Sequence, residues 1–377
     1  MERNVTLDFI RGVAVLGILL LNITAFGLPK AAYLNPAWYG AITQRDAWTW
    51  GLLDIFAQVK FLTLFALLFG AGLQMLLVRG KRWIQTRLSL LVLLGLIHAL
   101  LFWEGDILLA YGLVGLIIWP IIRDAPGEKS LFHTGALLYL IGVAVLVLLG
   151  ILSGPEGNNF WTPDLAHQQY EQFWRHQGGL EAIINRTDLM TSSLMALTIQ
   201  YGWQLAGMMM TGAALMRNGW LKGAFSTRHY RRTGWGLIAL GLMINIPSMI
   251  AQWQLDWAYR WCGLLLQAPR ELGAPFQAIG YASLILGYWQ QISRFHWVKW
   301  ISCVGRMALT NYLLQTVICT TVFYHFGLFM KLDRLDLLMI VPVVWCVNLL
   351  VSVLWLHFFS QGPIEWGWRQ LTRRISG

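Results

Sequence analysis

The amino-acid sequence predicts an all-α fold, a polytopic transmembrane helix bundle with about ten spans and both termini in the cytoplasm. Three observations support this prediction. Hydrophobic residues occupy 57% of the 377 positions and charged residues only 12%, whereas about a quarter of the residues in soluble proteins are charged. Apolar runs long enough to cross a bilayer recur along the chain, and the 21 tryptophans cluster at their ends, as interfacial anchors do. We expect one membrane domain over residues 1–377.

The first half of the chain contains five apolar runs, each bounded by polar or charged residues. The expected spans are 7–28, 54–78, 88–102, 106–122 and 132–152. The first run carries Asp8 and Arg11 at its start and lacks a good small-residue cleavage site. It is therefore expected to stay as a membrane span and not to be removed as a signal peptide.

A second set of five runs follows a longer connection. The expected spans are 193–216, 233–252, 271–289, 303–324 and 337–359. Two connections are long enough to have roles of their own, residues 29–53 and 154–192, and both are expected outside the membrane on the periplasmic side. Part of the second, residues 165–184, reads as an amphipathic helix, which would be either a lid over an external pocket or a solvated connector.

The orientation follows from the Lys and Arg residues of alternate connections, because cytoplasmic loops retain them. One set of connections, which begins with Arg3 and Arg11, carries 18 of these residues and the opposite set 8. Both termini are therefore expected inside. The net charge of +10 is spread over short loops and forms no continuous patch, so the expected partner is the lipid bilayer and not nucleic acid.

The four cysteines give neither a disulfide framework nor a metal site. Three of them, Cys303, Cys319 and Cys346, lie inside expected spans, and only Cys262 lies in a connection. No pair has the spacing of a zinc site. Nucleotide-binding loops, serine-hydrolase elbows and zinc-protease motifs are also missing from the contexts that they require, so ATP-driven chemistry is not indicated.

Polar residues inside spans are candidates for function, because a charge at mid-bilayer costs roughly 2.5–3.5 kcal/mol on insertion scales. In LDFIRGVAVLGILLLN, Asp8 and Arg11 are three residues apart and Asn22 follows eleven residues later on the same helical face. This face carries polar groups at both membrane depths. The alternative is an interfacial ion pair together with an asparagine that packs against another helix.

A second group combines acid, base and cation. Lys60 lies in the outer half of the second span, and the segment LIHALLFWEGDIL supplies His98, Glu104 and Asp106 on that same side. These are the groups that general acid/base catalysis requires. The alternatives are a Lys60 that snorkels to the surface, an Asp106 that caps a helix and a His98 that only packs.

The inner half offers candidate substrate-binding residues. GRMALTNYLLQ brings Arg306 and Asn311 into the ninth span, and the loop RGKRWIQTR contains Arg79 and Arg82. The basic residues of this loop would bind phosphates from the cytosol. The alternative is that they only set the membrane topology and contact lipid headgroups. In the sixth span, Tyr201 is expected to line a cavity.

The chain resembles the YeiB family of bacterial integral membrane proteins along essentially its full length. The resemblance rests on LDFIRGVAVLGILLLNI, KFLTLFALLFGAG, GLIHALLFWEGDILLAYGLVG, YGWQLAGMMMTGAAL, GRMALTNYLLQ and GPIEWGWRQLT. It implies a multi-pass protein of the bacterial inner membrane.

The opening span also resembles, more distantly, that of the transmembrane acyltransferase superfamily, which includes heparan glucosaminide N-acetyltransferases. Those enzymes are similar in carrying an arginine followed eleven positions later by a polar residue, here Arg11 and Asn22. Arg79 and Arg82 resemble an RxxR element of the bacterial O-acyltransferases. The glucosaminide enzymes carry a catalytic histidine soon after that asparagine, whereas residues 22–60 contain none here.

Two functions follow as expectations. The first is an acyltransferase that uses cytosolic acyl-CoA as its co-substrate and a small-molecule acceptor at the outer face. His98 with Glu104 or Asp106 would deprotonate the acceptor, and Asn22 would donate to the oxyanion. The CoA phosphates would be bound by Arg11, Arg79, Arg82 and Arg306.

The second is a transporter or exporter of a small metabolite, in which the buried charges bind the solute or relay protons. The residues concerned are Lys60, Glu104, Asp106 and Arg306. A lipid-binding protein without turnover is a third expectation. The oligomeric state stays open, with a homo-oligomer compatible with each of these functions.

Overall fold

The computed structural model describes residues 4–40 and 42–377, so Arg3 and Ala41 lie outside the described residues. Within these ranges the regular secondary structure is entirely helical. Six helices are long and apolar enough to cross a membrane, which identifies a membrane protein and confirms the predicted all-α class. They are Val5–Gly27, Gln44–Arg79, Lys81–Leu101, Glu128–Leu152, Thr227–Gln254 and Arg334–Phe358. The number of about ten spans stays a prediction.

The helices follow the apolar runs of the sequence, with ends that differ by a few residues. In chain order they are α1 (Val5–Gly27), α2 (Gln44–Phe56), α3 (Lys60–Leu76), α4 (Lys81–Leu101), α5 (Leu108–Asp124), α6 (Glu128–Leu152), α7 (Leu165–Gln177), α8 (Gly179–Ala196), α9 (Gly202–Arg217), α10 (Thr227–Gln254), α11 (Gln267–Ile292), α12 (His296–Arg306), α13 (Ala308–Thr320), α14 (Arg334–Phe358) and α15 (Pro363–Ser376). Three π-helical segments adjoin them, Leu197–Tyr201, Tyr259–Leu265 and Thr321–His325.

Helix α1 is the central element of the bundle. It begins where the side chain of Asn4 accepts a hydrogen bond from the backbone N–H of Leu7 at 3.1 Å, an N-cap that satisfies one free donor. Ile10, Ala14 and Leu19 are fully buried, and α1 packs against α3, α12, α13 and α14. The candidate residues of α1 are therefore held inside the protein and do not face lipid.

Glycines permit the closest helix contacts. A Cβ atom at Gly305 would lie 1.7 Å from the carbonyl oxygen of Asp8, and one at Gly70 would lie 1.7 Å from that of Met209. No side chain fits at either position. The backbones of α1 and α12, and of α3 and α9, therefore approach each other as small residues allow in membrane proteins.

The second expected span is interrupted. Helix α2 ends at Phe56 and α3 begins at Lys60, and Val59 between them has a φ of +68°, a conformation that is strained for a β-branched residue. The buried ammonium of Lys60 donates to the carbonyl oxygen of Asp54 at 2.6 Å, which satisfies a backbone acceptor at the interruption.

Two further expected segments are also divided. The ninth span, expected as residues 303–324, consists of α12 and α13 with a change of backbone direction at Met307. The amphipathic segment 165–184 is split between α7 and α8 at Gly178 and Gly179, which both have positive φ. Glycine adopts this conformation without strain.

The described ends of the chain lie at one face of the bundle. Glu365 of α15 contacts the start of α13, and Arg82 at the start of α4 donates to the carbonyl oxygen of Ile375 at 3.2 Å. We call this end of the bundle the terminal face and the opposite end, which carries α7 and the loop 102–107, the far face.

Candidate functional site

A hydrogen-bonded chain of three side chains lies inside the bundle. His98 is in the last turn of α4, and its Nδ1 lies 2.7 Å from Oδ1 of Asp106. Its Nε2 lies 3.0 Å from Oγ1 of Thr316 on α13. The side chains of His98 and Asp106 are 3% and 2% exposed. When the carboxylate accepts from Nδ1–H, the Nε2 lone pair is left as the base that faces the hydroxyl.

Asp106 is held by a second bond. Its Oδ2 accepts from the backbone N–H of Leu109 at 2.7 Å in the first turn of α5. The predicted capping role and the predicted contact with His98 are thus both present in one carboxylate, because its two oxygens point to different partners. This double bonding fixes the orientation of the imidazole ring.

Tyr312 connects the hydrogen-bonded side chains of Asp106, His98 and Thr316 to the loop 102–107. Its ring packs against that of His98, with 5.4 Å between the ring centroids. Its hydroxyl accepts from the backbone N–H of Ile107 at 3.2 Å and donates to the carbonyl oxygen of Gly105 at 3.4 Å. Tyr312 therefore holds the loop 102–107 against α13.

An apolar cavity of about 300 Å³ runs from the terminal face to this point, and we call it the tunnel. At the terminal face it is lined by Arg11, Arg87 and Arg306, and at its deep end by Ile107 and Tyr312. Most of the remaining lining is aliphatic or aromatic. Such a cavity suits an elongated, largely apolar group that carries negative charge at one end.

A second cavity, of about 330 Å³, opens at the terminal face, and we call it the basic bowl. Its charged lining comprises Arg79, Arg87, Arg369, Arg373 and Glu365. Arg87, Glu365 and Leu76 line both the bowl and the tunnel. The two cavities are therefore adjacent, with four guanidinium groups and one carboxylate around the bowl.

Arg87 occupies the boundary between the bowl and the tunnel. Its guanidinium lies 3.5 Å from the ring centroid of Trp368 and 5.2 Å from that of Trp83. Cation–π contacts with two indoles hold the planar group in place without a carboxylate partner. The donor fork of Arg87 is thus positioned to bind phosphate.

Glu365 caps a helix. Its carboxylate accepts from the backbone N–H groups of Leu309 and Thr310 at 2.8 and 3.1 Å, and from the hydroxyl of Thr310. These donors lie at the start of α13, where a negative charge is favourable. Arg369, one turn further along α15, lines the bowl.

The predicted arginines lie at the terminal face, in different settings. Arg79 lines the bowl, and Arg11 and Arg306 line the tunnel. Arg11 also pairs with Asp8 at 3.2 Å, as the spacing predicts. Arg82 lines neither cavity and contacts the end of α15 instead.

A third cavity, of about 250 Å³, opens toward the far face, and we call it the far cavity. Its polar lining includes Asn22, Lys30, Glu104 and Arg175. Ile107 lines both the far cavity and the tunnel. The two cavities therefore meet beside the residue that follows Asp106 in the chain.

Asn22 is buried, with 9% exposure, and lines the far cavity. No described side chain or backbone group hydrogen-bonds its side-chain amide. A buried amide without a protein partner is unusual. Asn22 is therefore placed to bond a ligand in this cavity.

Glu104 is engaged by arginines and not by His98. Its Oε1 lies 2.6 Å from the guanidinium of Arg175 on α7, and its Oε2 lies 3.9 Å from Arg186 on α8. Burial alone would raise the pKa of Glu104, but the attraction of Arg175 and Arg186 together with hydrogen bonding outweighs burial and lowers the pKa. Glu104 is thus held as a carboxylate, which makes it an anchor for α7 and not a base.

The expected pairing of Lys60 with Glu104 or Asp106 is absent from the described contacts. Lys60 bonds the Asp54 carbonyl oxygen, and the Asp54 carboxylate pairs with Arg270 at 2.9 Å. This group belongs to the interruption between α2 and α3 and lines neither the tunnel nor the far cavity. The substrate-binding role expected for Lys60 stays a prediction.

Tyr201 and Asn311 also lie outside the tunnel and the far cavity. Tyr201 is in a π-helical segment, within electrostatic range of Asp106. The side-chain amide of Asn311 donates to Ser352 at 2.8 Å and to the Met307 carbonyl oxygen at 3.0 Å. Asn311 therefore stabilises the junction of α12 and α13, and its expected role in substrate binding stays a prediction.

Several residues of the site were not predicted. Thr316 follows Gln315 in a span already rich in polar groups, so its position offered a weak signal. Arg175 lies in a connection far from Glu104 in sequence, and no local pattern indicates that pairing. Arg369 and Arg373 looked like ordinary charges of an exposed terminal helix.

The chain is similar to other bacterial proteins along its whole length. It is 71% identical over 377 residues to "Uncharacterized protein YeiB" of Escherichia coli (strain K12), covering 100% of this chain and 98% of the relative. It is 29% identical over 399 residues to "Uncharacterized protein YxaH" of Bacillus subtilis (strain 168), covering 98% of this chain and 94% of the relative.

Residues 215–375 match a family described as "Protein of unknown function (DUF418)". This segment contains α10 to α15, including Thr316 and Tyr312 of the candidate site and the arginines of α15. The predicted resemblance is confirmed by the full-length identity, and the chain belongs to the YeiB family of membrane proteins.

Proposed function

We propose that this protein is a transmembrane acyltransferase, which moves an acyl group from cytosolic acyl-CoA to a small acceptor at the outer face of the bacterial inner membrane. One observation supports this proposal above all others. The tunnel adjoins the basic bowl at one end and the far cavity at the other. The chain Asp106–His98–Thr316 lies beside that second junction, because Asp106 precedes Ile107, which lines both cavities, and His98 packs against Tyr312, which lines the tunnel.

In this proposal the terminal face is cytoplasmic, because the basic connections of the sequence lie there. The bowl binds the phosphates of the donor through Arg79, Arg87, Arg369 and Arg373. Arginine suits this task because its planar fork matches phosphate oxygens. Trp83, which lines the bowl, and Trp368 hold Arg87 at its edge through cation–π contacts.

The tunnel receives the thin, mostly uncharged arm that ends in the thioester. Its apolar lining excludes water along this path, which protects a thioester from hydrolysis. The reacting carbonyl group would then lie near Ile107 and Tyr312, within the same region as His98.

The acceptor binds in the far cavity and attacks the thioester carbonyl carbon. A bond forms between the acceptor heteroatom and that carbon, and the carbon–sulfur bond breaks. The acceptor proton passes to Oγ1 of Thr316 while the Thr316 proton passes to Nε2 of His98, and the proton finally reaches the departing thiolate. Asp106 stabilises the imidazolium formed in between.

The free amide of Asn22 is the candidate donor to the oxyanion that develops on the carbonyl oxygen. It reaches the far cavity from α1 and carries no competing protein bond. Such donors contribute about 3–4 kcal/mol when they are aimed at the developing charge.

One specific observation favours transport as a second candidate function. The interruption between α2 and α3 places Asp54, Lys60 and Arg270 inside the bundle, and discontinuous helices with buried charges are typical of secondary transporters. In that reading the cavities form a permeation path. Proton-dependent solute flux in vesicles would support it.

The proposal is tested by the binding of acetyl-CoA to the detergent-purified protein, measured as a shift in the thermal unfolding midpoint. We expect stabilisation that is lost in Arg87→Gln and retained in Arg228→Gln, an exposed basic residue outside the bowl. ADP should bind weakly to the bowl alone. If acetyl-CoA gives no shift in the wild type, the donor site is refuted.

A further inference from the structure

Lys30 is a partly buried cation at the boundary between two cavities. It follows α1 and lines both the far cavity and a vestibule of about 320 Å³ that lies outside it. Ala31, Phe160 and Leu189 are also shared by the two. Lys30 therefore lies at the junction of the vestibule and the far cavity.

The ammonium of Lys30 has no carboxylate within 4.0 Å among the described residues. Within the described part of the chain, this ammonium lies over the ring of Phe160, at 5.4 Å from the centroid. The nearby carboxylates are committed elsewhere, because Arg175 binds both Glu104 and Glu171. Burial lowers the pKa of Lys30, and Glu104 opposes that effect. A lysine in this position costs stability unless a ligand pairs with it.

The charges around the far cavity leave an excess of one cation. Of the residues that line it, Lys30 and Arg175 carry positive charge and Glu104 carries negative charge. Glu171, which also binds Arg175, lines the vestibule. The exposed Asp188 lies on the vestibule and not on the far cavity. The far cavity therefore attracts a ligand that carries a negative charge.

The other residues that line the far cavity indicate the chemistry of the rest of the ligand. Tyr33, Trp103 and Trp161 supply ring faces, and the free amide of Asn22 supplies both a donor and an acceptor. Rings combined with an amide favour a compact molecule with polar groups along an apolar frame. A hydroxyl group beside Asn22 would be the nucleophile.

From this arrangement we infer that the acceptor is an acidic hydroxyl compound, whose phosphate or carboxylate is bound by Lys30 while its hydroxyl lies toward Asn22. The assignment of this molecule as acceptor rests on the proposed function. The anion site at Lys30 stands on the geometry alone. The same chemistry occurs in a free phosphorylated polyol and in an acidic lipid headgroup.

The experiment measures binding of three probes to the purified full-length protein by thermal shift: sn-glycerol 3-phosphate, vesicles of phosphatidylglycerol, and neutral glycerol. The variants are Lys30→Met and Lys30→Arg. Lys331→Met is the matched control, because Lys331 is an exposed lysine outside both cavities. Arg369→Gln shows how much of any phosphate effect arises at the basic bowl.

We expect one of the two acidic probes to bind and glycerol to bind far more weakly. The affinity should fall about tenfold or more in Lys30→Met, stay within a few-fold in Lys30→Arg, and be unchanged in Lys331→Met. Without ligand, Lys30→Met should unfold at the same temperature as wild type or above it, which excludes misfolding as the cause. Binding of the free phosphate identifies a soluble acceptor, and binding of the vesicles identifies a lipid.

Equal binding by wild type and Lys30→Met, or no shift with either acidic probe, overturns the inference. Thiol release from acetyl-CoA that is equally fast with glycerol and insensitive to Lys30→Met overturns it as well, but leaves acyl transfer intact. Lys30-dependent binding without any thiol release supports the anion site and refutes the transferase.

Discussion

The Nε2 atom of His98 lies 3.0 Å from the hydroxyl oxygen of Thr316, while Nδ1 of the same ring lies 2.7 Å from Asp106. The two partners come from different helices, α13 and the start of α5, and all three side chains are buried. A carboxylate that orients an imidazole, which in turn faces a hydroxyl, is an arrangement suited to proton transfer.

This relationship predicts the effects of two substitutions on turnover. His98→Gln should lower thiol release from acetyl-CoA by about 10²–10⁴-fold, the range of general base catalysis. Thr316→Val, which keeps the shape and removes the hydroxyl, should lower kcat by about tenfold or more with little change in KM, because the relay is lost while the cavities stay intact. Steady-state kinetics with each variant measures both effects. Wild-type rates in both would contradict the assignment of the base and its relay.

The capping carboxylate of Glu365 predicts a change in stability. Glu365→Ala leaves the N–H groups of Leu309 and Thr310 without their partner, and the loss should cost about 1–2 kcal/mol. Thermal unfolding in detergent measures the change. Arg374→Ala, an exposed position on the same helix outside the bowl, should leave the midpoint unchanged. A larger effect at Arg374 than at Glu365 would refute the capping role.

The ion pair of Glu104 with Arg175 predicts a dependence of stability on pH. Burial would raise the pKa of Glu104, but Arg175, Arg186 and hydrogen bonding together outweigh burial and hold the pKa below the usual 4.5. A depressed carboxyl pKa contributes stability above the unfolded value, and that stability is lost as the pH falls through the folded value. The unfolding midpoint should therefore fall as the pH drops below about 4.5.

Glu104→Gln isolates this contribution. At neutral pH the variant should be less stable by about 3–5 kcal/mol, because Arg175 is left without its closest partner. The difference from wild type should shrink as the pH falls and Glu104 becomes protonated. Glu156→Gln, at an exposed position, should follow the wild-type profile. A constant difference at every pH would show that Glu104 does not act through its charge.

The positive φ of Val59 predicts that glycine is tolerated at this position better than alanine. Val59 has a φ of +68°, which costs an L-residue with a Cβ atom about 1–2 kcal/mol. Val59→Gly should therefore be more stable than Val59→Ala by about 1 kcal/mol, although alanine keeps the Cβ atom and glycine loses the whole side chain. Comparing their unfolding midpoints tests this conformation, and an alanine variant as stable as the glycine variant would contradict it.

The membrane class was predictable from the sequence because apolar composition and run length decide it. The pairing of His98 with Asp106 was also within reach, since the two residues are eight apart across a short turn. The interruption at residues 57–59 was not predictable, because these residues contain no glycine or proline and a valine at positive φ is rare. The pairing of Glu104 with Arg175 was not predictable for a related reason, because the two residues meet only through the tertiary packing of α7.

The central claim is that acyl-CoA reacts at the junction of the tunnel and the far cavity. The most direct test is thiol release from acetyl-CoA by proteoliposomes that present the terminal face outward and contain sn-glycerol 3-phosphate inside. We predict release that requires the enclosed acceptor, yields an acetylated product within the vesicles, and is abolished by His98→Gln. No thiol release, together with wild-type movement of the acceptor across the membrane, would contradict acyl transfer and establish transport.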